Sequence, residues 1–214
     1  MIIEDIMIKD VHTLQETATI EEAIQTLAKF KIRHVPIINE EREVVGIISD
    51  RDIRDVSPSI FHSDEHKEDF QLPIREIMKR NVLTAHPLDF VEEISSVFFQ
   101  NQIGCLPIVE ENRLVGIITE SLVLHTIVKL MGAHQPSSQI EVKVENITGM
   151  LAEIAAIFKR KNVNITSVLV YPSKDKRYKI LVFRVQTMDP RPIIAEIENE
   201  GYQVLWPNFP GATL

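Results

Sequence analysis

The sequence predicts an α+β protein in which a β-α-β-β-α unit occurs twice and a β-α-β-β-α-β unit follows. Three observations carry this prediction. Residues 6–49 return, motif by motif, about 71 positions later. Helix-start signatures stand in front of apolar residues at helical spacing in both copies. Beyond residue 138, Gln139-Ile140-Glu141-Val142-Lys143-Val144-Glu145 alternates strictly between polar and apolar, the pattern of a half-buried strand.

The duplication is specific. Ile6-Met7 followed by Val11-His12-Thr13 returns as Ile77-Met78 followed by Val82-Leu83-Thr84. Ile20-Glu21-Glu22 returns as Val91-Glu92-Glu93, and Ile32 to Ile38 returns as Ile103 to Val109, with Pro36 matched by Pro107. One residue is then lost, and Val45-Gly46-Ile47-Ile48-Ser49 returns as Val115-Gly116-Ile117-Ile118-Thr119. A single deletion in a turn leaves the phase on either side intact.

Within the first copy, a short strand is expected over Val11–Thr13. Thr19 and Glu22 have the spacing of a capping box, in which hydroxyl and carboxylate satisfy the free amides of a helix start. Ile20, Ala23, Ile24 and Leu27 follow on one helical face. Val35–Ile38 and Val44–Ile48 read as a hairpin around the polar turn Asn39–Glu43, and Ser49 opens a second helix. In the second copy, Asp89 and Glu92 are expected to form the equivalent box for Val91, Ile94, Val97 and Phe98.

The domain expectation is a first repeat over 1–57, an inter-repeat linker over 58–71, a second repeat over 72–130, a linker over 131–138 and a last domain over 139–214. In that domain, Leu151, Ile154, Ala155 and Phe158 form a helix face. Val163–Tyr171 and Tyr178–Thr187 read as strands, Pro190–Glu200 as a helix and Tyr202–Trp206 as a final strand. This order is that of a ferredoxin-like fold.

Composition bounds the function. The chain has 214 residues, is 44% hydrophobic and 25% charged, and carries a formal net charge of −8. Net acidity argues against a nucleic acid or an anionic membrane as the main partner. The single cysteine, Cys105, rules out an internal disulfide framework, and it reads as a packed thiol rather than a nucleophile. The acidic start Met1 to Ile6 does not resemble a signal peptide, and no apolar run approaches the length of a membrane span, so a cytoplasmic location is expected. No poised acid, base or nucleophile set is visible, and the expectation is that the chain is not an enzyme. His62 and His66, with Asp64 and Glu65, have a spacing that suits a metal on a helix, but they lie in the polar connection and read as solvated; no metal is expected.

The chemistry-bearing motif is Gly46-Ile47-Ile48-Ser49-Asp50-Arg51-Asp52, at a strand-to-helix junction. The glycine permits close backbone approach, and the serine hydroxyl stands at a helix start whose free amides favour an anion. A carboxylate one turn into the helix can accept both hydroxyls of a ribose. Arg33 and His34 could donate to phosphate oxygens. The same residues are also what an ordinary helix cap would use. The second copy, Gly116-Ile117-Ile118-Thr119-Glu120-Ser121-Leu122, has Leu122 in place of the carboxylate, and Gly104-Cys105 replaces the basic pair. One competent cleft and one that is degenerate, apolar or empty are therefore expected.

The duplicated unit with this motif resembles the CBS domain, and two in tandem resemble a CBS pair, or Bateman module, over about residues 1–130. The resemblance implies an adenine nucleotide or adenosyl ligand, such as AMP, ADP, ATP or S-adenosylmethionine, and no catalytic cofactor. Ser49 would touch phosphate or ribose, Asp52 the ribose and Arg33 the phosphates. Val11, Thr13 and Val35 would hold the adenine, with His34, Pro36, Asp50 and Arg51 completing the site. The second cleft would comprise Thr84, Leu106, Thr119 and Ser121, with Arg51 reaching across towards it.

The stretch Asn146-x-x-Gly149-Met150-Leu151 resembles the ACT domain, which often binds amino acids at this loop; the implied ligand residues are Asn146, Ile147, Gly149 and Leu151. Such domains commonly pair side by side, which implies a homodimer. The run Ala85 to Ser95 and the tail around Leu169 to Val185 resemble the acetoin-utilisation (AcuB) family, which implies regulation of acetoin or acetate metabolism. The alternative is a ligand-independent scaffold that binds a metabolic enzyme.

Overall fold

The computed structural model describes residues 1–56 and 69–207, so His62, His66 and most of the expected inter-repeat linker lie outside the described residues. Two compact units are present, Met1–Leu124 and His125–Leu214.

In the first unit each repeat contributes a helix, an antiparallel hairpin and a second helix. The first repeat has α1 (Ile20–Phe30), β1 (His34–Ile38), β2 (Val44–Ser49) and α2 (Asp50–Val56). The second has α3 (Val91–Asn101), β3 (Cys105–Glu110), β4 (Arg113–Thr119) and α4 (Glu120–Leu130), whose residues from His125 on belong to the second unit. Both hairpins carry a register irregularity at the same relative place, between Ile37 and Ile38 and between Ile108 and Val109. The core of the first repeat gathers Ile20, Ala23 and Leu27 of α1 with Val35, Ile37 and Ile48 of the hairpin, all buried.

The capping box of α1 forms as its spacing requires. Glu22 N–H donates to Thr19 Oγ1 at 3.1 Å, and Thr19 N–H donates to Glu22 Oε2 at 2.9 Å. Thr19→Ala should therefore cost about 1 kcal/mol, read from the midpoint of chemical denaturation; a loss below about 0.3 kcal/mol would show the box to be idle. The second expected box does not form. The N-cap of α3 is Phe90, which has no side-chain cap, because the helix begins two residues after Asp89. The Asp89 carboxylate turns back instead and accepts the His86 amide at 2.7 Å.

The expected strand at Val11–Thr13 is likewise reduced to a single bridge, Leu14 to Ile37. Leu14 N–H donates to the Pro36 carbonyl at 3.3 Å, and Ile38 N–H donates to the Leu14 carbonyl at 2.9 Å. Extending this parallel ladder one step back would need an amide at position 36, and proline has none. Ala85 repeats the pattern against Pro107 and Val109 at 3.1 and 2.8 Å, for the same reason.

The segments that lead into each repeat are exchanged between the two copies. Ile8 of the first lead-in exchanges both backbone hydrogen bonds with Ile117, each 2.9 Å, and Lys79 of the second lead-in does the same with Ile47, again at 2.9 Å. The helix starts are served similarly, since Ile20 N–H donates to Leu72 O at 3.0 Å and Val91 N–H donates to Met1 O at 3.1 Å. The first amide of α1 and that of α3 are thus each satisfied by the other repeat.

The second unit contains β5 (Ser138–Glu145), α5 (Met150–Arg160), β6 (Ile165–Pro172), β7 (Tyr178–Val185), α6 (Arg191–Asn199) and β8 (Gln203–Trp206). The sheet order is β6-β7-β5-β8, with every neighbouring pair antiparallel. Ile140, Val142 and Val144 of β5 and Leu181, Phe183 and Val185 of β7 face Ile154, Ile157 and Phe158 of α5 and Ile193, Ile194 and Ile197 of α6. The alternate positions Gln139, Glu141 and Lys143 remain partly exposed on the other face, as the period of two requires. The ferredoxin-like expectation is met, with strand ends within two residues of the sequence pattern.

Candidate functional site

Ser49 ends β2 and Asp52 sits in the first turn of α2, and the two are locked together. Ser49 N–H donates to Asp52 Oδ2 at 2.8 Å, the Ser49 hydroxyl donates to the same oxygen at 2.5 Å, and Asp52 N–H donates back to Ser49 Oγ at 3.3 Å. The other carboxylate oxygen, Oδ1, lies 3.0 Å from Lys79 Nζ. Burial opposes the charge on Asp52, but the hydrogen bonds from Ser49 and Lys79 outweigh it and hold the carboxyl below the usual range.

A cavity of about 780 Å³ opens over this group. One wall is Ile47, Ser49, Asp50, Arg51, Asp52, Arg54 and Lys79; the other, from the second repeat, includes Phe98, Phe99, Gln102, Ile103, Gly104, Cys105 and Glu120. Arg33 and His34 border it as well. Arg54 pairs with Asp50, Nη2 to Oδ2 at 3.4 Å, whereas Arg33 and Arg51 have no ion pair among the described residues. The walls thus combine a carboxylate, a hydroxyl, four cationic side chains and an apolar surface made by Ile47, Ile103 and Phe99. That set can hold a ligand bearing a diol, an anion and a flat apolar ring.

His34 stands between this cavity and a second one of about 220 Å³. A Cβ on Gly104 would come within 3.0 Å of His34 Cε1 and 3.2 Å of Nε2, so the second repeat has glycine where the first has Arg33 because the His34 ring occupies that space. Burial lowers the His34 pKa, the neighbouring Arg33 lowers it further, and Asp50 and Asp52 offset part of this. Cys105, aligned with His34, is buried, and its thiol is pushed up to about 12, which leaves it un-ionised at neutral pH.

Six residues expected in the first cleft, Arg33, His34, Ser49, Asp50, Arg51 and Asp52, meet around the larger cavity. Val11, Thr13, Val35 and Pro36 do not border it. Val35 and Pro36 are buried within β1, and Val11 lines the smaller cavity, carried there by the exchange of lead-ins. Thr119 also lines the smaller cavity, but Thr84, Leu106 and Ser121 do not, and Leu106 is fully buried in β3. This second cleft is smaller but not apolar: Asp10, His12, Lys31 and Arg33 of the first repeat border it, with His12 stacked on Phe30 at 3.5 Å between ring centroids. Arg51 lies in the larger cavity and does not border the smaller one.

Gly46 also plays a different part from the one its motif suggests. A Cβ there would meet Met78 Sδ at 2.5 Å, so its bareness admits the second lead-in rather than open space for a ligand. Nothing in the sequence pattern marks Lys79 or Phe99 as lining this cavity. Lys79 aligns with Ile8 in the repeat, so the comparison of copies gives no sign that it is the cation facing Asp52.

The Asn146–Gly149 loop is tied to the β6–β7 hairpin. Asn146 N–H donates to Arg177 O at 2.8 Å, and Lys179 Nζ donates to Ile147 O at 2.8 Å. Gly149 adopts φ 95° at the start of α5, a conformation that favours glycine. Asn146, Ile147, Gly149 and Leu151 line neither cavity described above. Among the described residues, no cluster of three metal-ligating side chains occurs, and no helix is long and apolar enough to cross a membrane.

Comparison with known proteins fits this architecture. The CBS domain family model matches residues 3–59 and 74–129, and the ACT domain model matches residues 138–201. The chain is 28% identical over 178 residues to MJ1225 of Methanocaldococcus jannaschii, a protein whose role is uncharacterized; the match covers 83% of this chain and 57% of that protein. It is 35% identical over 109 residues to inosine-5'-monophosphate dehydrogenase of Aquifex aeolicus, covering 50% of this chain and 20% of the enzyme. The chain therefore spans only part of each of these two relatives. Among solved structures, the CBS pair of protein MJ0100 in complex with 5'-methylthioadenosine and S-adenosylmethionine is 30% identical, with a TM-score of 0.51, over 60% of this chain and 97% of that one. A Vibrio cholerae protein provisionally named AcuB, for acetoin utilization, is also 30% identical, with a TM-score of 0.53, over 64% of this chain and 98% of that one. The family models, the repeat and the sheet topologies agree: this chain belongs to the CBS-domain family, as a tandem CBS pair continued by an ACT domain.

Proposed function

We propose that the chain is a regulatory ligand sensor that binds an adenine nucleotide or related adenosyl compound in the larger cavity. The observation that carries this reading is the convergence of Ser49, Asp52, Arg33, Arg51 and Lys79 on one cavity of about 780 Å³ with an apolar wall. The adenosyl ligands held by the MJ0100 pair support it. In this reading Asp52 accepts the ribose hydroxyls, Arg33 and Arg51 meet phosphate, and the base lies against Ile47, Ile103 and Phe99. No chemical step is assigned to these groups. Ligand shifts the protein between arrangements only as far as it binds one of them better.

Calorimetry with AMP, ADP, ATP, S-adenosylmethionine and NADH tests this directly. At least one should bind below millimolar concentration, and Asp52→Ala should weaken it by about tenfold or more, the cost of a lost hydrogen bond to a charged group. Silence across the panel, or an affinity indifferent to Asp52→Ala, would exclude the reading.

The likeness to the Vibrio cholerae protein supports a role in acetoin or acetate metabolism, exerted on a metabolic enzyme. A homodimer through the second unit is supported by β6, an edge strand on which Val168, Leu169, Val170 and Tyr171 are all exposed. A ligand-independent scaffold is the second reading. It is favoured by one observation: both oxygens of Asp52 already have partners within the protein. A scaffold would hold its partner enzyme with an affinity that nucleotides leave unchanged.

A further inference from the structure

We infer that Lys79 makes the larger cavity selective for ligands that bring an anion together with a diol, because it occupies the diol acceptor until an anion draws it away. The inference rests on the adenosyl-ligand reading above and adds which chemical class within it is bound.

The argument begins at Asp52, whose side chain is only 11% exposed. Oδ2 is held by the Ser49 amide and hydroxyl, and both bonds belong to the cap of α2. Giving them up would unpair the helix start, so Oδ2 is not free for a ligand. A diol that donates both hydroxyls must therefore use both lone pairs of Oδ1, and one of these is taken by Lys79 at 3.0 Å. The Lys79 side chain is 65% exposed and rises from a backbone pinned to Ile47 by two hydrogen bonds. Its base is fixed and its ammonium end is free to swing.

Where the ammonium goes decides which ligand binds. Asp50, the next carboxylate on α2, is already paired with Arg54. Arg33 and Arg51 border the same space and repel an unpaired ammonium. A neutral nucleoside thus displaces Lys79 from Asp52 and brings no anion of its own, so the lysine is left to solvent and to Glu120 on the opposite wall. A 5'-phosphorylated nucleoside offers the displaced lysine a phosphate oxygen, so one ion pair is exchanged for another. A ligand with a cationic group near the ribose adds repulsion instead.

The test is calorimetric titration of the full chain with AMP and with 5'-methylthioadenosine, a neutral nucleoside of similar size, for wild type, Lys79→Met and Lys79→Arg. Wild type should prefer AMP by about tenfold or more, the scale of one hydrogen bond to a charged group. Lys79→Met should lose most of that preference by weakening AMP while leaving methylthioadenosine unchanged or tighter, and Lys79→Arg should keep it. Without any variant, wild-type affinity for AMP should fall with added salt while that for methylthioadenosine holds. Equal weakening of both ligands by Lys79→Met would make the lysine merely structural, and equal wild-type affinity for the two would also overturn the inference; both results leave the adenosyl reading standing. If neither compound binds wild type at millimolar concentration, the adenosyl reading falls and this inference falls with it.

Discussion

Phe158→Ala should destabilise the second unit by about 3–5 kcal/mol, the range for removing a large buried aromatic side chain. Phe158 is fully buried on α5, and its ring meets that of Phe183 at 4.8 Å between centroids in a tilted arrangement. Phe183 sits on β7, a central strand, so the pair joins the helix layer to the middle of the sheet. Truncation removes the transfer energy of the ring, leaves a cavity between these layers, and deprives Phe183 of its aromatic partner. For a unit of this size each kcal/mol corresponds to about 4–8 °C, so the melting temperature should fall on the order of 20 °C. Phe158→Leu, which keeps most of the volume, should cost roughly a third as much. Differential scanning calorimetry reads both. A fall of only a few degrees for the alanine variant would mean that this contact is peripheral to the core.

Much of this core could be read from the sequence, because burial in the second unit follows simple periods. Ile140, Val142 and Val144 alternate as expected, and Ile154 and Phe158 of the expected helix face are fully buried. Leu151 of that face is 41% exposed, however, and Ile157 takes a core place instead, because the buried stripe of α5 is rotated towards Ile157. The repeat was equally legible, since duplicated apolar patterns survive one deletion. What internal similarity could not reveal is which copy each lead-in serves. Ile8 and Lys79 occupy equivalent positions, and a sequence comparison is unchanged if they are swapped between hairpins. The same blindness moved Val11 to the smaller cavity and concealed the Lys79–Asp52 pair. The missing second cap has a local cause: Asp89 and Glu92 have the right spacing, but the carboxylate finds the His86 amide before the helix begins. Ser49 and Asp52 were legible as a capping pair and as a ligand pair at once, and the structure realises the first while holding the second against the cavity.

The exchange of lead-ins makes the two motif glycines the joints of the first unit, and substitutions there should separate the repeats energetically. The three atoms nearest a Cβ at Gly46 would all belong to the Met78 side chain, with Sδ at 2.5 Å, Cγ at 3.0 Å and Cε at 3.2 Å. A Cβ at Gly116 would meet Met7 Sδ at 2.6 Å and Cγ at 3.1 Å, and also the Ile8 carbonyl at 3.3 Å. That carbonyl accepts the Ile117 amide at 2.9 Å, so it cannot retreat without loosening the bridge between the repeats. Gly116→Val should therefore cost about 3 kcal/mol, at the upper end of the usual range for overpacking. Gly46→Ala and Gly116→Ala should each cost less, and they differ in how they are rescued. Met78→Ala should recover most of the loss at Gly46→Ala, because it removes the three nearest atoms, whereas Met7→Ala should recover only part of the loss at Gly116→Ala, because the Ile8 carbonyl, one of the three nearest there, remains. Double-mutant cycles in urea measure this as a larger coupling energy for the first pair than for the second. Equal couplings would show that the backbone at Ile8 yields freely, and the lead-in would then be a loosely held arm rather than a built-in strand of the opposite repeat.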